Sequence, residues 1–179
     1  MWLFIGQVIW FFLPAGIANM AASMSRFVPF LQYPVDSGLT WHGKRIFGSH
    51  KTWRGLLFGI IFGILWFWLQ QFLYRFDFFK DISLVDYSEL NWTLGLALGL
   101  GAVLGDLFRS FFKRRLNIAP GMPWIPFDQI DYVAGAIIIA SLVYFPGWDV
   151  SLAAIGLGFV LHILVNVFAY LIRLQKNKL

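Results

Sequence analysis

Four aspartates set the chemistry this chain could do. Of its nine acidic residues, Asp77, Asp81, Asp86, Glu89 and Asp149 fall in polar stretches between apolar runs, as ordinary solvated charges do. Asp36, Asp106, Asp128 and Asp131 instead keep company with basic residues, and the last three sit at the ends of apolar runs. Ionisable groups are costly there and mark function by default. Asp106, Arg109, Ser110 and Lys113 follow the spacing i, i+3, i+4, i+7, which puts them on one helix face. Leu107, Phe108, Phe111 and Phe112 take the other face. Asp128 and Asp131 lie three apart just after Pro126, a residue tolerated in the first turn of a helix. Carboxylates brought together across a cavity need a cation between them. Mg²⁺ suits the task, because it takes one or two carboxylates plus substrate phosphates. A salt bridge within the helix, snorkelling cations and a helix-dipole effect are the plainer explanations of the same residues.

A second feature is the basic, glycine-punctuated segment GKRIFGSHKTWRG, residues 43–55. Lys51 and Arg54 there are placed to hold phosphate oxygens as charge-assisted donors. The segment lacks P-loop spacing, and a basic loop resting on lipid headgroups explains it as well. Asn19, within the first apolar run, is a lesser candidate. His162, Asn166 and Tyr170 form a stripe that interhelical hydrogen bonds explain.

The elements that must carry these residues are membrane helices. The chain has 179 residues, 59% of them hydrophobic and 13% charged, about half the usual globular share. Its mean hydropathy is +0.71. Spans are expected at about 2–22, 55–74, 92–112, 132–147 and 151–172, giving an all-α membrane protein of five transmembrane helices in one domain. The first apolar run has no basic residue before Arg26 and reads as a retained span, not a cleaved signal. Glycines four apart (Gly55, Gly59, Gly63; Gly95, Gly99) predict close helix packing. Basic residues crowd segments 23–54 and 113–131 and the C-terminal tail, so the N-terminus is expected outside, with the C-terminus and the site in the cytoplasm. The net charge of +5 then reflects topology and does not point to nucleic acid. Zero cysteines exclude disulfides and thiolate metal sites. A small transporter subunit is the competing class, but it would place polar groups at mid-membrane.

GDLFRSFFKRR at 105–115, the following PG, and DQIDYVAGA together resemble the signature of the CDP-archaeol synthase family, relatives of the CDP-diacylglycerol synthases. LPAGIAN, YPVDSG, GKRIFG and KTWRG add to the likeness, which runs from about residue 13 to residue 170. The resemblance implies an Mg²⁺-dependent integral enzyme of the cell membrane. Such an enzyme transfers CMP from CTP to 2,3-bis-O-geranylgeranylglyceryl phosphate and releases pyrophosphate. The related alternative acts on phosphatidic acid. Carried over residue by residue, it implies metal-binding and catalytic roles for Asp106, Asp128 and Asp131, and a catalytic role for Lys113. It also implies substrate contacts from Asn19, Asp36, Lys51, Arg54, Ser110, Arg114 and Arg115. The chain departs from the family pattern at Ser49-His50, where the family usually has Asp-Gly, and in its tail, which lacks a Pro-Trp ending.

Overall fold

The computed structural model describes residues 1–119 and 122–171. Pro120, Gly121 and the tail cations Arg173, Lys176 and Lys178 lie outside the described residues. Among the described residues six α-helices follow one another: α1 (Trp2–Met24), α2 (Trp53–Leu73), the short α3 (Asp77–Asp81), α4 (Thr93–Arg115), α5 (Phe127–Ala140) and α6 (Trp148–Leu171). Among the described residues four helical stretches are long and apolar enough to cross a membrane: Trp2–Phe27, Trp53–Leu73, Thr93–Arg115 and Trp148–Phe168.

The expected span at 132–147 is displaced. Its helix begins at Phe127, directly after Pro126, and ends at Ala140. Its 14 residues reach about 21 Å, short of the ~30 Å hydrocarbon layer. Two local causes set these bounds. Asp128 occupies the first turn, where the helix dipole favours an anion. At the other end the Ser141 hydroxyl donates to the Ile137 carbonyl at 2.6 Å.

Helix α4 is the centre of the bundle and packs most extensively on α5, then on α2 and α1. The glycines predicted to bring helices together do so. A methyl built on Gly63 would lie 2.7 Å from Gly99 Cα, and one on Gly95 2.4 Å from Phe67 Cβ. Between α4 and α5 the fit is closer still. A Cβ on Gly105 would lie 2.1 Å from the Asp131 carbonyl oxygen, and one on Gly135 2.2 Å from that of Gly101. The buried apolar core gathers Val8, Phe11, Ala15 and Ala18 of α1 around Phe67, Leu94, Leu98, Ala102, Val133 and Ala136.

Pro14 sits inside α1. It has no N–H to give the carbonyl of Trp10 four residues earlier. The side chain of Gln70 on α2, fully buried, donates its Nε2 to that carbonyl at 2.5 Å. An orphan backbone acceptor at membrane depth is thus satisfied by a neighbouring helix.

The segment joining α1 to α2 is ordered and adds a small β element to the all-α expectation. Strands β1 (Thr40–Trp41) and β2 (Lys44–Arg45) pair antiparallel. His42 and Gly43 between them have φ of 50° and 73°, the doubly positive pattern of a two-residue hairpin turn. Backbone bonds from Val35 N to Lys51 O (2.8 Å), Trp53 N to Tyr33 O (3.0 Å) and Arg54 N to Leu31 O (3.1 Å) fasten this segment to the start of α2. Thr52 caps that helix, its hydroxyl accepting from Gly55 N.

Candidate active site

One guanidinium holds the site together. Arg109, on α4, pairs with Asp106 one turn earlier on the same helix. Its Nη1 lies 2.7 Å from Asp128 and its Nε 2.9 Å from Asp131, both on α5. Two lysines flank it. Lys51, brought in by the segment before α2, lies 2.5 Å from the other oxygen of Asp106. Lys113 donates to both oxygens of Asp128 at 2.9 and 3.0 Å, and to the Met122 carbonyl at 2.6 Å. Asp128 also accepts from Trp124 N, and Asp131 from Tyr132 N. The three carboxylates are between 6% and 18% exposed. Three acids and three cations therefore cancel, which is the condition for keeping such groups out of water. The sequence placed Arg109 on the right face but did not single it out. Its i, i+3 spacing from Asp106 was the available signal.

A polar cavity of about 410 Å³ opens beside this cluster. Its walls come from the end of α1 (Asn19, Ser23), the turn at Ser25 and Arg26, the segment Ser49–Thr52, Arg54 on α2, and Asp106 on α4. Arg26, Lys51 and Arg54 give it a cationic lining with Asp106 at one wall. Arg54 is steadied by donating Nη1 to the Val28 carbonyl at 2.7 Å. Ser49 and His50, where the family pattern is broken, line this cavity. An apolar groove of about 590 Å³ runs between α4 and α5 along Leu104, Phe108, Phe112, Ile130, Ala134 and Ile138. Arg109 and Asp131 form its polar wall. Cavity and groove thus approach the same ion-pair cluster, one reaching Asp106 and the other Arg109 and Asp131.

Several residues expected to touch substrate stand elsewhere. Asp36 is 3% exposed and lines no part of the cavity. Its carboxylate accepts from Arg45 and from the backbone N–H groups of Gly38, Phe47 and Gly48. Burial pushes this acid up, but those donors outweigh it and hold the carboxyl down at about 2. Asp36 therefore organises the loop that presents Lys51. Arg115 clamps the hairpin, donating to the carbonyls of Trp41, Lys44 and Arg45 while its guanidinium lies over Phe111. The side chain of Arg114 runs past Gly48 of the same loop. Ser110 is buried within α4 away from the cavity. Asn19, Lys51, Arg54 and Asp106 do line the cavity, and Asp128, Asp131 and Lys113 adjoin it through the ion pairs.

Comparison with known proteins gives this geometry its context. The family model described as CarS-like, CDP-archaeol synthase, matches residues 1–178. The chain belongs to the CDP-archaeol synthase family. The CDP-archaeol synthase of Pyrococcus furiosus is 37% identical over 166 residues, 92% of each chain. That of Methanopyrus kandleri is 36% identical over 183 residues, covering 98% of this chain and 94% of its own. A solved structure described as an intramembrane enzyme for archaeal membrane lipids biosynthesis superposes with a TM-score of 0.70 at 31% identity, covering 89% of this chain and 92% of that one. Membership of the CDP-archaeol synthase family makes the chain an integral membrane enzyme.

Proposed function

We propose that this chain transfers CMP from CTP to 2,3-bis-O-geranylgeranylglyceryl phosphate, giving CDP-archaeol and pyrophosphate. The observation that carries this reading is the meeting of two unlike spaces at one cluster. A cationic cavity suits a triphosphate, an apolar groove suits isoprenoid tails, and the ion pairs lie between them. The lipid phosphate is already ionised, so it attacks the α-phosphate without a general base. The barrier lies in bringing two polyanions together in line, and fixed cations lower it. Lys51, Arg54 and Arg26 take the nucleotide phosphates and steady the departing pyrophosphate, while Asn19 orients the nucleotide in the same cavity.

Mg²⁺ fits the donors. Among the described residues no three His, Cys, Asp or Glu side chains are grouped to hold a metal alone. One or two carboxylates of Asp106, Asp128 and Asp131 are what Mg²⁺ asks of a protein when phosphate oxygens complete its shell. When bound there it would neutralise phosphate charge.

In the membrane, α5 and the segment that follows it to Pro146 form the fifth crossing. The N-terminus lies outside, and the cavity faces the cytoplasm, where CTP is.

The test is purified protein with radiolabelled CTP, Mg²⁺ and a choice of lipid phosphates. Label is expected in a CDP-lipid made from the geranylgeranyl ether substrate. Asp128→Asn is expected to lose about 100-fold or more of that turnover, the scale set by removing one fixed charge partner. Transfer to phosphatidic acid alone would overturn the lipid assignment and leave the reaction class standing.

A further inference from the structure

The three aspartates, expected to need a divalent ion between them, already have a cation there. The Arg109 guanidinium lies within ion-pair reach of all three carboxylates: Nη2 donates to Asp106, Nη1 donates to Asp128, and Nε, which makes no aligned hydrogen bond, lies 2.9 Å from Asp131. Asp106 and Asp128 each have a lysine besides, but among the described residues Arg109 is the one cation within ion-pair reach of Asp131. Asp131 is also the most buried of the three, its side chain 6% exposed. With Lys51 and Lys113 the cluster is formally neutral as it stands. A divalent ion added without anions would leave it with two surplus positive charges. An ion arriving with a triphosphate would not.

We infer that Arg109 is a resident counter-cation: it holds the three aspartates together while no divalent ion is present and gives up at least one of them when an ion enters with nucleotide. The inference rests on the metal reading above, and it adds a competition between guanidinium and metal for the same oxygens. Arg109 is thus a positioning residue, acting through the carboxylates it aligns. Its exchange makes the metal site conditional on nucleotide, because the empty protein has little need of the ion.

The experiment titrates Mn²⁺ into detergent-purified protein, first without nucleotide and then with CTP against a protein-free CTP blank, reading free ion by electron paramagnetic resonance. Thermal unfolding is followed in parallel with EDTA and with Mg²⁺ alone. Wild type is expected to bind Mn²⁺ weakly without CTP and to unfold at the same temperature with EDTA or Mg²⁺. Arg109→Gln is expected to bind Mn²⁺ at least about tenfold more tightly, since a competing positive charge within a few ångströms is gone. It is also expected to lose stability in EDTA and regain it in Mg²⁺. Arg109→Lys, with the charge kept and the three-way fork lost, is expected to fall between. Equal Mn²⁺ affinity in wild type and Arg109→Gln overturns the inference. So does an Arg109→Gln protein that is equally unstable with EDTA and with Mg²⁺. Wild type that binds no Mn²⁺ even with CTP sinks the metal reading itself, a different failure that the same titration separates.

Discussion

A carboxylate can bind a ligand or build the loop that does, and its partners tell which. Asp36 has its oxygens engaged by one guanidinium and three backbone N–H groups, so it belongs to the second kind. Its pKa is lowered from the ordinary 3.8 to about 2. A group acidified by folding stabilises the folded loop above its unfolded value, and that contribution is lost as pH falls through the folded value. Loop order is therefore expected to be constant above about pH 4 and to decline between about pH 4 and 2. Asp36→Ala at neutral pH is expected to raise amide hydrogen exchange at Phe47 and Gly48 by roughly tenfold to a hundredfold, the scale set by the shift from 3.8 to about 2. Exchange unchanged from wild type would show that Arg115 alone secures the hairpin. At this scale the sequence told much about which residues share a helix face and less about what they touch. The stripe of Asp106, Arg109 and Lys113 follows from helix geometry alone. That Arg109 reaches across to Asp128 and Asp131 depends on how α5 lies against α4, which no spacing within α4 encodes. Arg115 read as a phosphate contact because a basic residue at a helix end serves an anion or a carbonyl equally well, and here the hairpin supplies the carbonyls.

Helix α5 owes its position to glycine. Gly101 and Gly105 on α4 face Gly135 and the Asp131 carbonyl at separations that leave no room for a methyl. This brings Asp131 to the Arg109 guanidinium. Gly105→Ala is expected to push α5 away, cost about 1–3 kcal/mol as an overpacked contact does, and cut turnover more than it cuts CTP affinity, because the nucleotide cavity lies on the other side of α4. Thermal unfolding and nucleotide titration on the same preparation measure both. Gly16, beside which an added Cβ meets nothing within 4 Å, serves as the control for glycine removal in a membrane helix. Helices α1, α2 and α4 begin and end within a few residues of the bounds hydropathy set. The start of α5 does not, since an apolar window centres on 132–147 while the capping proline and the first-turn acid draw the start back to Phe127. The hairpin was missed because it is two residues a side, and His42-Gly43 is a weak hairpin signal beside Asn-Gly.

The whole molecule divides its charge unevenly. Ion-paired acids and most described cations gather at one end of the bundle. At the other, Asp77 and Lys80 pair in the open and α3 lies on the surface. The same end holds Tyr87, buried against Phe67 and Tyr74, with Gln71 donating to the Tyr87 and Leu90 carbonyls. A conduction path would spread polar groups along the axis, whereas this arrangement serves chemistry at one face. The positive-inside rule is the basis on which we propose that this face is the cytoplasmic one. Because the chain has no cysteine, single thiols can report on it without background. A membrane-impermeant maleimide is expected to label Ser88→Cys in intact cells and Thr40→Cys only after permeabilisation. The reverse pattern would invert the topology and remove CTP from reach of the cavity.

The missing N–H donor at Pro14 and its replacement by Gln70 have a consequence for which substitutions this fold can bear. The Trp10 carbonyl lacks its helical donor because Pro14 is there, and the Gln70 amide nitrogen donates to that carbonyl instead. Replacing Gln70 with an apolar residue while Pro14 stays would leave the Trp10 carbonyl without a donor. This rivet fixes α1 to α2 about 13 Å along the axis from Asn19, and any widening to admit a nucleotide has to take place on the arms of the forceps, below that pin.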